Sequence, residues 1–151
     1  MNINEIFAHI DELFENKQTE KVEPYLLSCL EDAEREGRAD IIIPICNELG
    51  GFYRASGRYQ EGVPLYQKAL QALEELGLAN TEHHATTLIN YATNYAVKGE
   101  AETALVIFSE AADIFSRLGI SADYRIATLY CVRTWKILIR PLNIFQTHLI
   151  S

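Results

Sequence analysis

Two stretches of the chain decide its fold: CNELGGFYRASGRYQEGVPLYQKA at residues 46–69 and LINYATNYAVKGEAETALVIFSEA at residues 88–111. They superpose at an offset of 42 residues. That shift carries Tyr53 onto Tyr95, Gly57 onto Gly99 and Ala69 onto Ala111, and further on Leu76 onto Leu118 and Gly77 onto Gly119. Conservative pairs fill the register between them: Gly50 with Ala92, Gly62 with Ala104, Tyr66 with Phe108, Leu78 with Ile120. Small, aromatic and glycine positions in one register mark an internal repeat, and a repeat sets the architecture before any local reading does. A fainter copy lies upstream at an offset of 40. It aligns Pro24 with Pro64, Leu30 with Leu70, Glu34 with Glu74 and Gly37 with Gly77.

Each unit reads as two helices. In the middle unit the first spans about residues 40 to 56, with Asp40 as expected N-cap, and stops at Gly57. Glycine there enters the left-handed conformation without a Cβ penalty. The second spans about 59 to 76, where Val63, Tyr66, Ala69, Leu70 and Leu73 recur at helical spacing. Pro44 falls near the first turn of one helix, and Pro64 predicts a kink in the other. The third unit repeats the plan over 82–98 and 101–118, with Thr81 as cap. The first gives about 4–16 and 19–36. No strand pattern of useful length occurs. The expectation is one all-α domain over 1–151: repeat 1 at about 3–37, repeat 2 at 40–77, repeat 3 at 82–119, and a divergent terminal helix and tail at 121–151.

These positions resemble the tetratricopeptide repeat family, whose helix pair carries W-x2-L-G-x2-Y and then a small residue, three others and an aromatic. The middle unit supplies Cys46, Leu49, Gly50, Tyr53, Gly62 and Tyr66; the next supplies Leu88, Tyr91, Ala92, Tyr95, Ala104 and Phe108. The tryptophan position holds Cys46 or Leu88, and the 42-residue period makes each helix about a turn longer than the common repeat, as in kinesin-light-chain-like repeats. The resemblance implies an α-solenoid, with antiparallel helix pairs stacked in a right-handed superhelix and a concave groove lined by the first helix of each pair. It implies a non-enzymatic module, an adaptor or scaffold, that binds a peptide or protein segment. The groove positions it implies are Asn47, Gly51 and Arg54 in repeat 2 and Ile89, Thr93 and Ala96 in repeat 3, with Glu48 and Asn90 beside them. An asparagine amide both donates to and accepts from a peptide backbone.

Composition narrows the partners. The net charge is −8, from 13 basic and 21 acidic residues. Such a surface repels phosphate, so no nucleic-acid partner is expected. A clamp for acidic chaperone tails needs cations that Gly51, Ile89 and Thr93 do not supply, so a neutral or basic segment is expected. No apolar run approaches the ~20 residues of a membrane span, and the acidic start is no secretory signal. A cytoplasmic protein without membrane contact is expected. Cys29, Cys46 and Cys131 form no CxxC, and the adjacent His83 and His84 lack the i, i+4 spacing of a metal pair. With no nucleotide or nucleophile motif present either, no enzyme activity, cofactor or metal is expected.

The tail differs from the rest. All 21 acidic residues lie before Tyr124; the first 123 residues carry nine basic residues and so net −12. Residues 124–151 hold Arg125, Arg133, Lys136 and Arg140 and no acid. Three readings stay open: a diverged terminal helix covering the last repeat, an amphipathic tail that docks on a partner or a second copy, and a sequence altered from that of a longer array. Because the tail carries Trp135, Ile137, Leu138 and Ile139, self-association through it, as a homodimer, is one expectation. A self-assembling scaffold and the peptide-sensing part of a regulator are thus the alternatives to a groove-binding adaptor.

Overall fold

Helical periodicity broken by glycine at regular intervals produces helical hairpins, and hairpins are what form. The computed structural model describes residues 1–120, which are helical throughout apart from short turns. Helix α1 spans Ile3–Glu15; a 3-10 turn at Thr19–Lys21 leads into α2, Val22–Arg35. Four helices of 17 residues each follow: α3 Ala39–Ala55, α4 Tyr59–Glu75, α5 Glu82–Lys98 and α6 Ala101–Arg117. Gly57 and Gly99 close α3 and α5 at φ +75° and +95°, the left-handed region where a side chain would be strained.

The details depart from expectation in two places. Asp40 is not the cap of α3. The helix already starts at Ala39, and the Asp40 carboxylate turns back to accept two bonds from the Arg38 guanidinium, at 2.9 and 2.8 Å. That charge-assisted pair holds the loop to the first turn in place of a capping bond. Thr19 begins a 3-10 turn, so the α-helical part of the second helix starts later, at Val22. Pro44 sits just past the first turn of its helix, as expected, and Pro64 takes the same sixth position in α4; both helices continue beyond them. Thr81 does cap α5: its hydroxyl accepts from the His84 backbone N–H at 3.4 Å.

Small residues set how closely the helices pair. A Cβ on Gly50 of α3 would lie 2.6 Å from Cζ of Tyr66, and one on Gly62 of α4 would lie 3.6 Å from the Gly50 carbonyl oxygen. The two backbones thus meet across a fully buried tyrosine ring. In the α5–α6 pair, Ala92, Ala104 and Ala111 are buried around Phe108 in the same way. Cys46 and Leu88, at the position where the repeat usually has tryptophan, are buried too. The α1–α2 pair has no such glycine. Ile6, Ile10 and Leu13 pack on Val22, Leu26 and Leu30, and this layer merges with Ile41, Ile45 and Leu49 of α3. The hairpins therefore stack into one row with a shared apolar interior, the arrangement of an α-solenoid. No described helix is long and apolar enough to cross a membrane. Cys131 and the expected self-association residues Trp135, Ile137, Leu138 and Ile139 lie outside the described residues.

Candidate functional site

Helices α1, α2, α3 and α5 enclose a cleft of about 500 Å³. Its apolar side is Phe14 of α1 and Phe52 of α3, with Val22 and Leu26 of α2 packed behind them. Val22 and Leu26 are buried core residues that reach it from beneath, whereas Phe14 is 44% exposed. Asp11 of α1 and Glu48 of α3 add carboxylates. Asn47, Gly51 and Arg54 of α3 and Asn90 of α5 complete the polar side. Five of the residues named from the repeat pattern, Asn47, Glu48, Gly51, Arg54 and Asn90, are thus brought together in one cleft.

The two asparagines are less free than exposed groove residues would be. Asn47 and Asn90 are 6% and 8% exposed. Asn47 Nδ2 donates to the Ile43 carbonyl at 3.0 Å and to Thr87 Oγ1 at 3.1 Å, while its Oδ1 accepts from Asn90 Nδ2 at 2.9 Å. The Asn47 amide is therefore spent on joining α3 to α5. Asn90 uses one N–H for that bond, and its side chain makes no other hydrogen bond among the described residues. Its second N–H and its carbonyl oxygen are the amide groups left to face the cleft.

Arg54 is likewise shared. Its Nη1 donates to the Tyr66 hydroxyl at 3.2 Å and to the Asn90 backbone carbonyl at 3.3 Å. It spans α3, α4 and α5 and lines the cleft with the rest of its guanidinium. Gly51 keeps that passage open: a Cβ there would find only Arg54 Nη2, at 3.9 Å. Thr93 is not on the cleft wall, and its hydroxyl donates to the Ile89 carbonyl one turn back, at 2.7 Å. Ile89 and Ala96 are off the wall as well.

Apart from Phe52 of α3, the residues that sequence reasoning missed come from the first repeat. The 40-residue offset carries Gly51 onto Asp11 and Arg54 onto Phe14. The same groove rule extended to α1 therefore names two of the cleft residues. Phe52 gives no such signal, because its apolar side chain is indistinguishable from core in sequence.

The surroundings are electrostatically fixed rather than reactive. Arg58, at the start of α4, forms paired bonds to Glu23 of α2, at 2.5 and 2.9 Å, and to Glu61, at 2.5 and 2.7 Å. Its guanidinium also stacks 4.3 Å above the Tyr53 ring. These bonds hold the Glu23 and Glu61 carboxyls below the usual carboxylate range. Burial pushes the Cys46 thiol up to about 12, which leaves it a packed, protonated group and a poor nucleophile. His84, in the first turn of α5, accepts from the Asn80 backbone N–H at Nδ1, 2.9 Å, and so braces the turn before that helix.

Comparison with known proteins places this arrangement. No curated protein and no solved structure matches the chain significantly. The family model of the tetratricopeptide repeat matches residues 42–117, half of the chain and nearly the whole of α3 to α6. With its paired 17-residue helices and small residues at their crossings, the chain belongs to the tetratricopeptide repeat family.

Proposed function

We propose that this protein is a non-enzymatic interaction module that holds a peptide or protein segment in the cleft between α1, α3 and α5. The observation that carries the reading is the make-up of that cleft: an apolar patch of Phe14 and Phe52 together with two carboxylates and the Asn90 amide. Apolar side chains anchor, and a few placed polar groups orient. The acidic Asp11 and Glu48 favour a segment that is neutral or basic, and the overall charge of −8 speeds its approach at low salt. The buried thiols of Cys29 and Cys46 suit a reducing compartment such as the cytoplasm. An adaptor that brings such a segment to another protein is the role that fits.

Selection of displayed random peptides on the full chain tests this. The expected winners carry a bulky apolar residue with lysine or arginine beside it. Their binding weakens about tenfold or more, some 1.4 kcal/mol, in Phe14→Ala and Glu48→Lys. Glu110→Lys, on the exposed side of α6, leaves it unchanged. Acidic winners, or binding indifferent to Phe14→Ala and Glu48→Lys, would overturn the reading.

A further inference from the structure

The two junctions of the stack are built differently. Between the first and second hairpins the apolar interior is continuous, from Ile6 and Leu26 through Ile45 and Leu49 to Ala69 of α4. Between the second and third it thins. Buried residues of α5 and α6, from Ala85 to Phe115, form a core of their own, on which Leu70 of α4 packs from across the junction. The Tyr66 ring, 5.7 Å from that of Tyr91, adds an aromatic contact.

Hydrogen bonds line the rest of this second junction. Asn47 of α3 is bonded to Thr87 and Asn90 of α5, at 3.1 and 2.9 Å, and Arg54 Nη1 reaches the Asn90 carbonyl. Asn94 Nδ2 donates to the Tyr59 carbonyl at the start of α4, at 2.9 Å, and Gln67 Nε2 donates to the Tyr91 hydroxyl at 3.2 Å. When two helices part, water replaces such bonds at a small net cost, whereas separated apolar surface gains no substitute.

One group is better served with the seam open. Asn94 is fully buried, and its Oδ1 has no hydrogen-bond partner among the described residues. The bond from Nδ2 to Tyr59 fixes which way the amide points, so Oδ1 lies against Gly62, where a Cβ would be 3.3 Å away. Glycine has no side chain to donate. A buried acceptor without a donor destabilises the closed arrangement, and water supplies the donor once the helices separate.

We infer that α5 and α6 swing as a unit away from α3 and α4 along this polar seam, while the first junction stays shut, and that the swing sets the width of the cleft. Asn47 and Arg54 line the cleft from one side of the seam and Asn90 from the other. The consequence for partner binding rests on the reading of the cleft as a peptide site; the motion itself does not. A segment that touches α3 and α5 together favours the closed form by as much as it prefers that form.

Thiol labelling of the full chain tests the motion. Thr87→Cys puts a thiol in the seam and Ala111→Cys puts one between α5 and α6, while the native Cys46 reports the core of the first two hairpins. All three positions are 0% exposed. In native buffer position 87 should react with iodoacetamide at least about tenfold faster than Cys46 and position 111, as resolved by mass spectrometry. Tyr91→Phe removes the hydroxyl that Gln67 reaches, and should speed position 87 about threefold without exposing Cys46. Asn94→Val gives up the bond to Tyr59 but removes the unpaired acceptor, and should slow position 87 about threefold. Equal rates at position 87 and Cys46 overturn the proposal, because the seam then opens only with the whole fold. Position 111 keeping pace with position 87 overturns it too, because α5 and α6 then unfold instead of swinging. So does an Asn94→Val variant that keeps Cys46 protected but fails to slow position 87. A peptide selected on the cleft should slow position 87 as well, and one that binds through Phe14 yet leaves that rate unchanged overturns the link between seam and cleft. The rates without peptide decide the motion by themselves, so it and the peptide reading fail separately.

Discussion

Adjacent glycines in α3 do opposite jobs. Gly50 faces Tyr66, where a Cβ would sit 2.6 Å from the ring; Gly51 faces the cleft, where a Cβ meets nothing closer than 3.9 Å. In mid-helix an alanine gains about 1 kcal/mol over glycine from backbone entropy. Gly51→Ala should keep that gain and raise the melting temperature. Gly50→Ala should lose more than it gains, because the enclosed Tyr66 ring, hydrogen-bonded by Arg54, has nowhere to move. Overpacking of this kind costs about 1–3 kcal/mol. Urea denaturation of the two variants checks the signs. Asn47 belongs to the same class of residue: Asn47→Ala leaves Thr87 and Asn90 without their shared partner in a buried seam, a loss of about 1–3 kcal/mol. Weaker ligand binding in that variant would therefore report on the α3–α5 seam as much as on the cleft, which makes Phe14 and Glu48 the cleaner probes. Cys46 should resist alkylation in the folded protein at neutral pH, because burial keeps its thiol protonated and covered. Site-resolved mass spectrometry should find it labelled only as fast as the chain unfolds.

Between helices, two kinds of contact hold the stack. Within the hairpins it is aromatic on small residue, as with Tyr66 on Gly50 and Gly62 or Phe108 among alanines. Truncating Phe108 to alanine should cost about 3–5 kcal/mol by leaving a cavity, as measured by chemical denaturation. Between the first and second hairpins an apolar layer is joined by an ionic link from Arg58 to Glu23 of α2, with Glu61 of α4 holding the same guanidinium. Both carboxyls are held below their ordinary value by the guanidinium. Their contribution is thus present at neutral pH and is lost as pH falls through the normal carboxylate range and below. Glu23→Gln should lower the melting temperature at pH 7 and make it less sensitive to acid below about pH 4.5, the unperturbed value for glutamate. The network is partly solvent-exposed, so both effects should be modest and shrink with salt.

For the whole molecule, the row of hairpins has an acidic and apolar hollow at its first half and an acid-free, apolar segment after its last described helix. Affinity for a basic segment should therefore fall as ionic strength rises, which titration at two salt concentrations would measure.

Repeats, helix pairs and the closing glycines are legible in the sequence because they depend on local rules. Periodicity defines each helix, glycine ends it, and the 42-residue register puts Gly50 with Ala92 and Tyr66 with Phe108. Helix starts are less legible, as Asp40 illustrates: its carboxylate was drawn to Arg38, a competition between partners that composition cannot rank. The cleft was half legible. Asn47, Gly51, Arg54 and Asn90 could be named from the repeat because equivalent positions share a face. Only tertiary structure decided that Asn47 is spent on Asn90 and Thr87, that Thr93 turns back onto its own helix, and that Phe14 and Phe52 form the apolar side of the hollow. The reason is physical. Local pattern dictates which face a residue occupies, but whether a polar group there is bound or free depends on what the next helix brings within about 3 Å of it.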